Sequence, residues 1–177
     1  MVYRIIKSID ISFAHHIRGH GGNCINLHGH TWKFELIIES DELTPEGFVV
    51  DFSDLRKRVL SPCHALLDHA LAIGELTYSE TKDDLANMGK SLLGSRLEFH
   101  ETTDTYPNEM MSLQGAKNEF PGGLKIAVFP FNPTSERFAE WLFHFAESEL
   151  NDGRVRVHLA RIYETLHPVE SVAEYTS

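Results

Sequence analysis

Basic residues are scarce in this chain: 16 Lys and Arg stand against 26 Asp and Glu, a net charge of −10. That balance argues against the basic stripe of a nucleic-acid-binding surface. An anionic ligand would need a local basic or metal-charged pocket, since the overall field repels it. Cysteine is nearly missing as well. Two cysteines in 177 residues make no disulfide framework, so a reducing, cytoplasmic setting is expected. No run approaches the roughly 18 apolar residues that a membrane span needs. The opening "MVYRIIKSID" lacks the apolar core of a signal peptide. What remains is an ordinary soluble composition, 42% apolar and 24% charged, long enough for one well-buried domain. Eleven histidines are many for this length.

Periodicity gives the organisation. "VYRIIKSIDISFAH" and "TWKFELIIES" read as strands, joined through a glycine-rich connection "IRGHGGNCIN", and their adjacency favours an antiparallel pair. "FVV" reads as a short continuation after a turn at "DELTPEG". From Asp51 the period becomes helical on Phe52, Leu55, Val59, Leu60, Leu66 and Leu67, with Asp51 or Ser53 as cap. Pro62 is expected to kink this helix or restart it, with Ser61 as the new cap. "TKDDLANMGKSLLGS" suits an amphipathic helix on Leu85, Met88, Leu92 and Leu93, and residues 100–123 show no sustained period. "LKIAVFPF" is a buried strand. "NPTSERFAEWLFHFAESEL" is a helix capped by Thr134 or Ser135, burying Phe138, Trp141, Leu142 and Phe145. "RVRVHLARIYET" is the last strand expected. The pattern is α+β, with helices on one face of an antiparallel sheet.

The chemistry concentrates in "CINLHGHTW". Residues two apart on a strand share a face, with Cβ atoms about 6–7 Å apart, so His28 and His30 can converge on one ion. His15 ends the preceding strand and completes a set of three imidazoles with an open fourth position, the pattern of a catalytic zinc site. The alternative is a surface His-x-His with no ligand role. His16 and His20 compete with His15 for the third position. His64, His100, His144, His158 and His167 stand alone and read as surface or packing residues.

Cys24 admits three readings: a thiolate near a metal, a fourth ligand, or an inert small apolar residue. Cys63, on a helix beside Pro62, reads as inert. Asp68 and His69 adjoin at a helix end, where neighbours do not face each other, so spacing alone favours a solvated polar end. Glu164 closes the last strand. Such carboxylates are usually solvated, yet one can accept two parallel hydrogen bonds from an amidine-like edge.

Taken together, "ISFAHHI", "CINLHGHTW", "GFVVDFSDL", "LLDHAL", "FNPTSERFAEWLF" and "YET…AEY" resemble the 6-pyruvoyl- and 6-carboxy-tetrahydropterin synthase family over residues 3–73 and 124–175. The three residues between Cys24 and His28 resemble the queuosine-pathway 6-carboxy enzyme, whereas the biopterin enzyme has a longer spacer. The resemblance implies a single T-fold domain over 1–177: a four-stranded antiparallel sheet with two helices on one face, assembled as a trimer or hexamer into a barrel. It implies Zn2+ on His15, His28 and His30. Cys24 would be the proton-abstracting thiolate, with Asp68 and His69 as its relay across a subunit interface. Glu164 and Thr165 would bind the pterin. The implied reaction converts 7,8-dihydroneopterin triphosphate to 6-carboxy-5,6,7,8-tetrahydropterin, releasing triphosphate and acetaldehyde. Two other readings are a 6-pyruvoyl-tetrahydropterin synthase and a relative that only binds a pterin or purine. No nucleic-acid or membrane partner is implied. Three departures stand out: Arg137 and Ile73 occupy positions where the family usually has asparagine, and residues 75–122 are mostly an insertion with no assigned role.

Overall fold

The computed structural model of the chain describes residues 1–94, 112–150, 152–165, 167 and 170–176; residues 100–111 of the loop expected at 100–123, His100 included, lie outside them. The described strands are β1 (Tyr3–His15), β2 (His28–Ser40), β3 (Leu71–Gly74), β4 (Ser112–Leu113), β5 (Ala116–Glu119), β6 (Ile126–Phe129), β7 (Val155–Thr165) and β8 (Ser171–Thr176). The helices are α1 (Phe52–Leu55), α2 (Ser61–Leu67), α3 (Glu75–Leu93) and α4 (Ser135–Leu150).

Strand hydrogen bonding follows the order β4-β5-β6-β3-β1-β2-β7-β8. This corrects the expected four-stranded sheet. β1, β2, β6 and β7 match the expected strands, while β3, β4, β5 and β8 add to them. Nor is the sheet purely antiparallel, because β3 pairs parallel with both β1 and β6. "FVV" is not a strand but part of a bend. With α1 and α2 continuous through the turn Arg56–Leu60, α3 makes a third helical stretch among the described residues, where the resemblance implied two.

Contacts divide the chain into two compact units. One comprises Met1–Phe13, Gly29–Asp68 and Thr134–Ser177. Its core is aromatic: Phe13 stacks on Trp32 at 4.8 Å between centroids, and Phe138 of α4 meets both rings edge-on at 5.5 Å. The Thr134 hydroxyl accepts the Arg137 amide at 3.3 Å, so Thr134 caps α4. Of the two outcomes expected at Pro62, a kink or a restart, the restart does not occur. Arg56–Leu60 widen into a π turn just before the proline, and Ser61 keeps helical angles (φ −68°, ψ −40°) instead of capping a new helix. A widened turn relieves the steric conflict that an internal proline creates with the preceding turn. Asp51 is the cap at the start, accepting the Ser53 amide at 2.6 Å.

The second unit comprises Ala14–His28 and His69–Pro133. Its core is small and aliphatic: Ile73, Leu85, Ile126 and Val128, with Leu71, Tyr78 and Leu124 packed against it. Ile73, unusual against the family pattern, is therefore a core residue. Gly89 lets α3 approach the Pro121–Gly123 turn, since a Cβ there would lie 2.5 Å from the Gly122 carbonyl oxygen. No helix among the described residues is long and apolar enough to cross a membrane.

Candidate metal centre

β1 ends at His15, and β2 begins with His28 and His30, so two strand ends deliver the three imidazoles. The strand starts earlier than its apolar alternation suggests, which places both histidines inside it, two residues apart on one face. His15 is fully buried, while His28 and His30 are half-buried. One ligand-capable atom from each of the three lies within 4.8 Å of the others.

The tautomers can be read from the backbone. His15 Nδ1 lies 2.9 Å from the Pro133 carbonyl oxygen, and His28 Nδ1 lies 2.8 Å from that of Asn26. A carbonyl oxygen only accepts, so both Nδ1 atoms carry the proton and donate it. In the neutral rings each Nε2 then presents a lone pair, and these two atoms face each other at 3.0 Å. Two lone pairs cannot bond each other; a cation between them resolves the contact. The edge of a tetrahedron with bonds of about 2.05 Å is roughly 3.3 Å, close to this separation. Backbone carbonyls orienting the far nitrogen are the usual outer support of metal-bound histidine. His30 is oriented by its ring meeting Trp32 edge-on (5.5 Å, 89°), and its Nε2 stands 4.0 Å from Glu164 Oε1. The donor set fits a borderline ion such as Zn2+.

The rivals do not join this group. His20 Nδ1 accepts the Gly22 amide at 3.0 Å in an exposed turn. His16 Nδ1 is buried with no hydrogen-bond partner among the described residues, and its ring lines a cavity beside Leu71 and Ile73. Cys24 is half-buried in a single helical turn, Asn23–Ile25, and stands outside the group of nitrogens. Cys63 is fully buried, and desolvation pushes its thiol far up, which suits an inert core residue. Asp68 follows α2 with non-helical backbone (φ −56°, ψ 126°), and His69 comes next with a left-handed φ of 58°. That irregular backbone frees the two adjacent side chains from the divergence a helix imposes. Asp68 Oδ1 is 3.9 Å from His64 Nε2, one helical turn earlier. The sequence carries this i, i+4 spacing, so His64 was legible as a neighbour of Asp68 and not only as a solitary surface residue. The Pro133 and Asn26 carbonyls had no signal in the sequence, because a backbone group at a strand mouth belongs to no residue type.

Glu164 and Thr165 are the last two residues of β7, with Thr165 opposite Ser171 of β8. Arg137 lies on the exposed side of α4 and donates to Glu140 at 2.6 Å. That local pair accounts for its charge on the helix surface.

Comparison with known proteins places these observations. The sequence profile described as "6-pyruvoyl tetrahydropterin synthase" matches residues 4–176. A curated 6-carboxy-5,6,7,8-tetrahydropterin synthase of Haemophilus influenzae is 33% identical over 84 residues, 46% of this chain and 60% of that protein. The protein of the same name from Bacillus subtilis is 40% identical over 70 residues, 39% of this chain and 45% of its own length. These two matches thus span only about half of the relatives' length. The Aquifex aeolicus protein of that name is 27% identical over 86% of this chain and 75% of its own. Among solved structures, an uncharacterized protein of Wolinella succinogenes superposes with a TM-score of 0.66 at 24% identity, covering 100% of this chain and 99% of that one. The 6-pyruvoyl tetrahydropterin synthase of Caenorhabditis elegans gives 0.56 at 18% identity, covering 100% and 96%. At these identities the likeness speaks for the fold. With the profile spanning nearly all of its length, the chain belongs to the 6-pyruvoyl tetrahydropterin synthase family.

Proposed function

We propose that the protein is a zinc-dependent lyase that converts 7,8-dihydroneopterin triphosphate, with uptake of water, to 6-carboxy-5,6,7,8-tetrahydropterin, acetaldehyde and triphosphate. The observation that carries the metal part is the facing pair of His15 and His28 Nε2 atoms, each ring held by a carbonyl at Nδ1. The choice of product rests on the spacing of Cys24 from His28 and on the names of the curated relatives.

His15, His28 and His30 would hold the ion, which when bound polarises side-chain oxygens of the substrate and acidifies the adjoining C–H. The chain's own groups do the rest. Glu164, at the end of β7, would accept two parallel hydrogen bonds from the amino and N3–H edge of the pterin, fixing its plane, with Thr165 beside it. Cys24, as thiolate, would take a proton from the side-chain carbon. Asp68 and His69 would carry protons to and from the reacting atoms. In the implied assembly they would reach a neighbouring subunit's site, so a homo-oligomer, trimer or hexamer, belongs to the proposal. A cytoplasmic setting and a place in queuosine biosynthesis follow from the same reading.

Zinc-loaded protein incubated with dihydroneopterin triphosphate tests it. Acetaldehyde in equal amount to triphosphate is expected, and Cys24→Ala should lower turnover by about 10²–10⁴-fold. Triphosphate with a pyruvoyl product and no acetaldehyde would replace the carboxy assignment with the pyruvoyl one. Pterin binding without any turnover would reduce the protein to a binder.

A further inference from the structure

Residues 16–27 connect His15 to His28 and carry Cys24. This connection closes on itself, with the Ile17 amide donating to the Cys24 carbonyl at 3.0 Å. One residue on, Arg18 reaches α3 through a forked ion pair: Nη1 to Glu80 Oε2 at 2.6 Å and Nη2 to Oε1 at 3.1 Å. The Arg18 carbonyl accepts Asn132 Nδ2 at 3.2 Å.

Apolar packing does little to hold the connection against α3. Ile25 and Leu27 on one side, and Thr77, Thr81 and Leu85 on the other, line a cavity of about 440 Å³. Side chains that border a void lose their partner atoms on that side, and dispersion weakens accordingly. Ile25 and Leu27 are also 48% and 59% exposed. Exposed ion pairs contribute little as a class, but a bidentate arginine–carboxylate fork is the geometry that departs from the average. Here it is a polar tie between α3 and the connection, and it sits one residue from the amide that holds Cys24.

We propose that Glu80 is a positioning residue for Cys24. Through Arg18 it fixes the Ile17–Cys24 turn, and α3 thereby governs where the thiol stands. The inference builds on the reading of Cys24 as the reacting thiol and gives α3, which the family pattern leaves without a role, a task in that reaction.

Glu80→Gln in the full, zinc-loaded chain removes the charge and keeps the shape. Three readouts separate positioning from mere stability. Hydrogen exchange over residues 16–27 and the alkylation rate of Cys24 by iodoacetamide need no turnover, and Cys63, fully buried, stays silent in the alkylation. Exchange should accelerate and the alkylation rate should shift, each by about three- to tenfold. In turnover, kcat should fall by a similar factor with KM within about twofold, the split expected when an interaction serves the reaction and not binding. The swap Arg18→Glu with Glu80→Arg should recover most of each change. Unchanged exchange and alkylation in Glu80→Gln, or a swap no better than the single variants, would overturn the proposal. If both probes respond while Cys24→Ala leaves turnover intact, the positioning stands and the lyase role of the thiol falls.

Discussion

Helix α4 and helix α3 are held in place by different means. α4 spans 16 residues and buries Phe138, Trp141, Leu142, Phe143 and Phe145 among its inward residues. α3 spans 19 and buries only Thr77, Leu85 and Gly89, while Leu92 is 70% exposed. One is fastened by aromatic packing. The other relies on a close backbone approach at Gly89, an ion pair at Glu80, and Leu85 and Tyr78 on a small aliphatic core beside a cavity. Packing that is dense on all sides gives a fixed scaffold, whereas a few discrete contacts give an element whose position single residues control.

Two substitutions test that contrast, and a third probes the charge on β2. Phe138→Ala should cost about 3–5 kcal/mol, read as a lower urea midpoint for the whole chain, because its ring meets Phe13, Trp32 and Phe34 and is fully buried. Gly89→Ala should cost about 1–3 kcal/mol, since its Cβ would press on the Gly122 carbonyl and backbone must shift. Its signature should be local: faster hydrogen exchange in α3 and at 121–123, with α4 unchanged. Equal global losses from the two variants would erase the distinction between the helices.

Glu39→Gln should have the smallest effect, about 1 kcal/mol at neutral pH. Glu39 accepts Arg4 Nε at 2.8 Å and also faces His158 and Arg156. The hydrogen bond from Arg4 holds its carboxyl below the usual carboxylate range, against the opposing pull of burial. A depressed folded pKa stabilises the fold above the unfolded value of about 4.3, and the gain disappears as pH falls through the folded value. The gap between wild type and Glu39→Gln should therefore close as the pH drops below about 4.3. A gap that stays constant through that window would show that Glu39 acts by shape and not by charge.

Legibility in the sequence follows the same contrast. The i, i+3, i+4, i+7 aromatics of α4 and the alternation of β1, β2 and β7 announce themselves, since one regular face is buried. Strand period puts His28 and His30 on one face, but it leaves His16 and His20 as rivals to His15 for the third place, which the fold brings within 4.8 Å of the other two. β3 was not. Its four residues, Leu71–Gly74, lie parallel between β1 and β6, and a short strand buried on both faces shows no alternation. β8 is only six residues long and follows Pro168, too short a pattern to stand out. At Pro62 the expected restart failed because the helix absorbed the proline in a π turn, a response of the backbone that no local residue preference encodes. The polar tie of Arg18 to Glu80 joins residues 62 apart and leaves no trace in local pattern.

The proposed chemistry depends on three imidazoles sharing one cation. Competitive titration of metal-free protein with Zn2+, monitored against a chromogenic chelator, tests this directly. Wild type should bind one equivalent per chain, and His15→Ala, His28→Ala and His30→Ala should each weaken binding by about 100-fold or more. Retention of a full, equally tight equivalent by all three variants would contradict it.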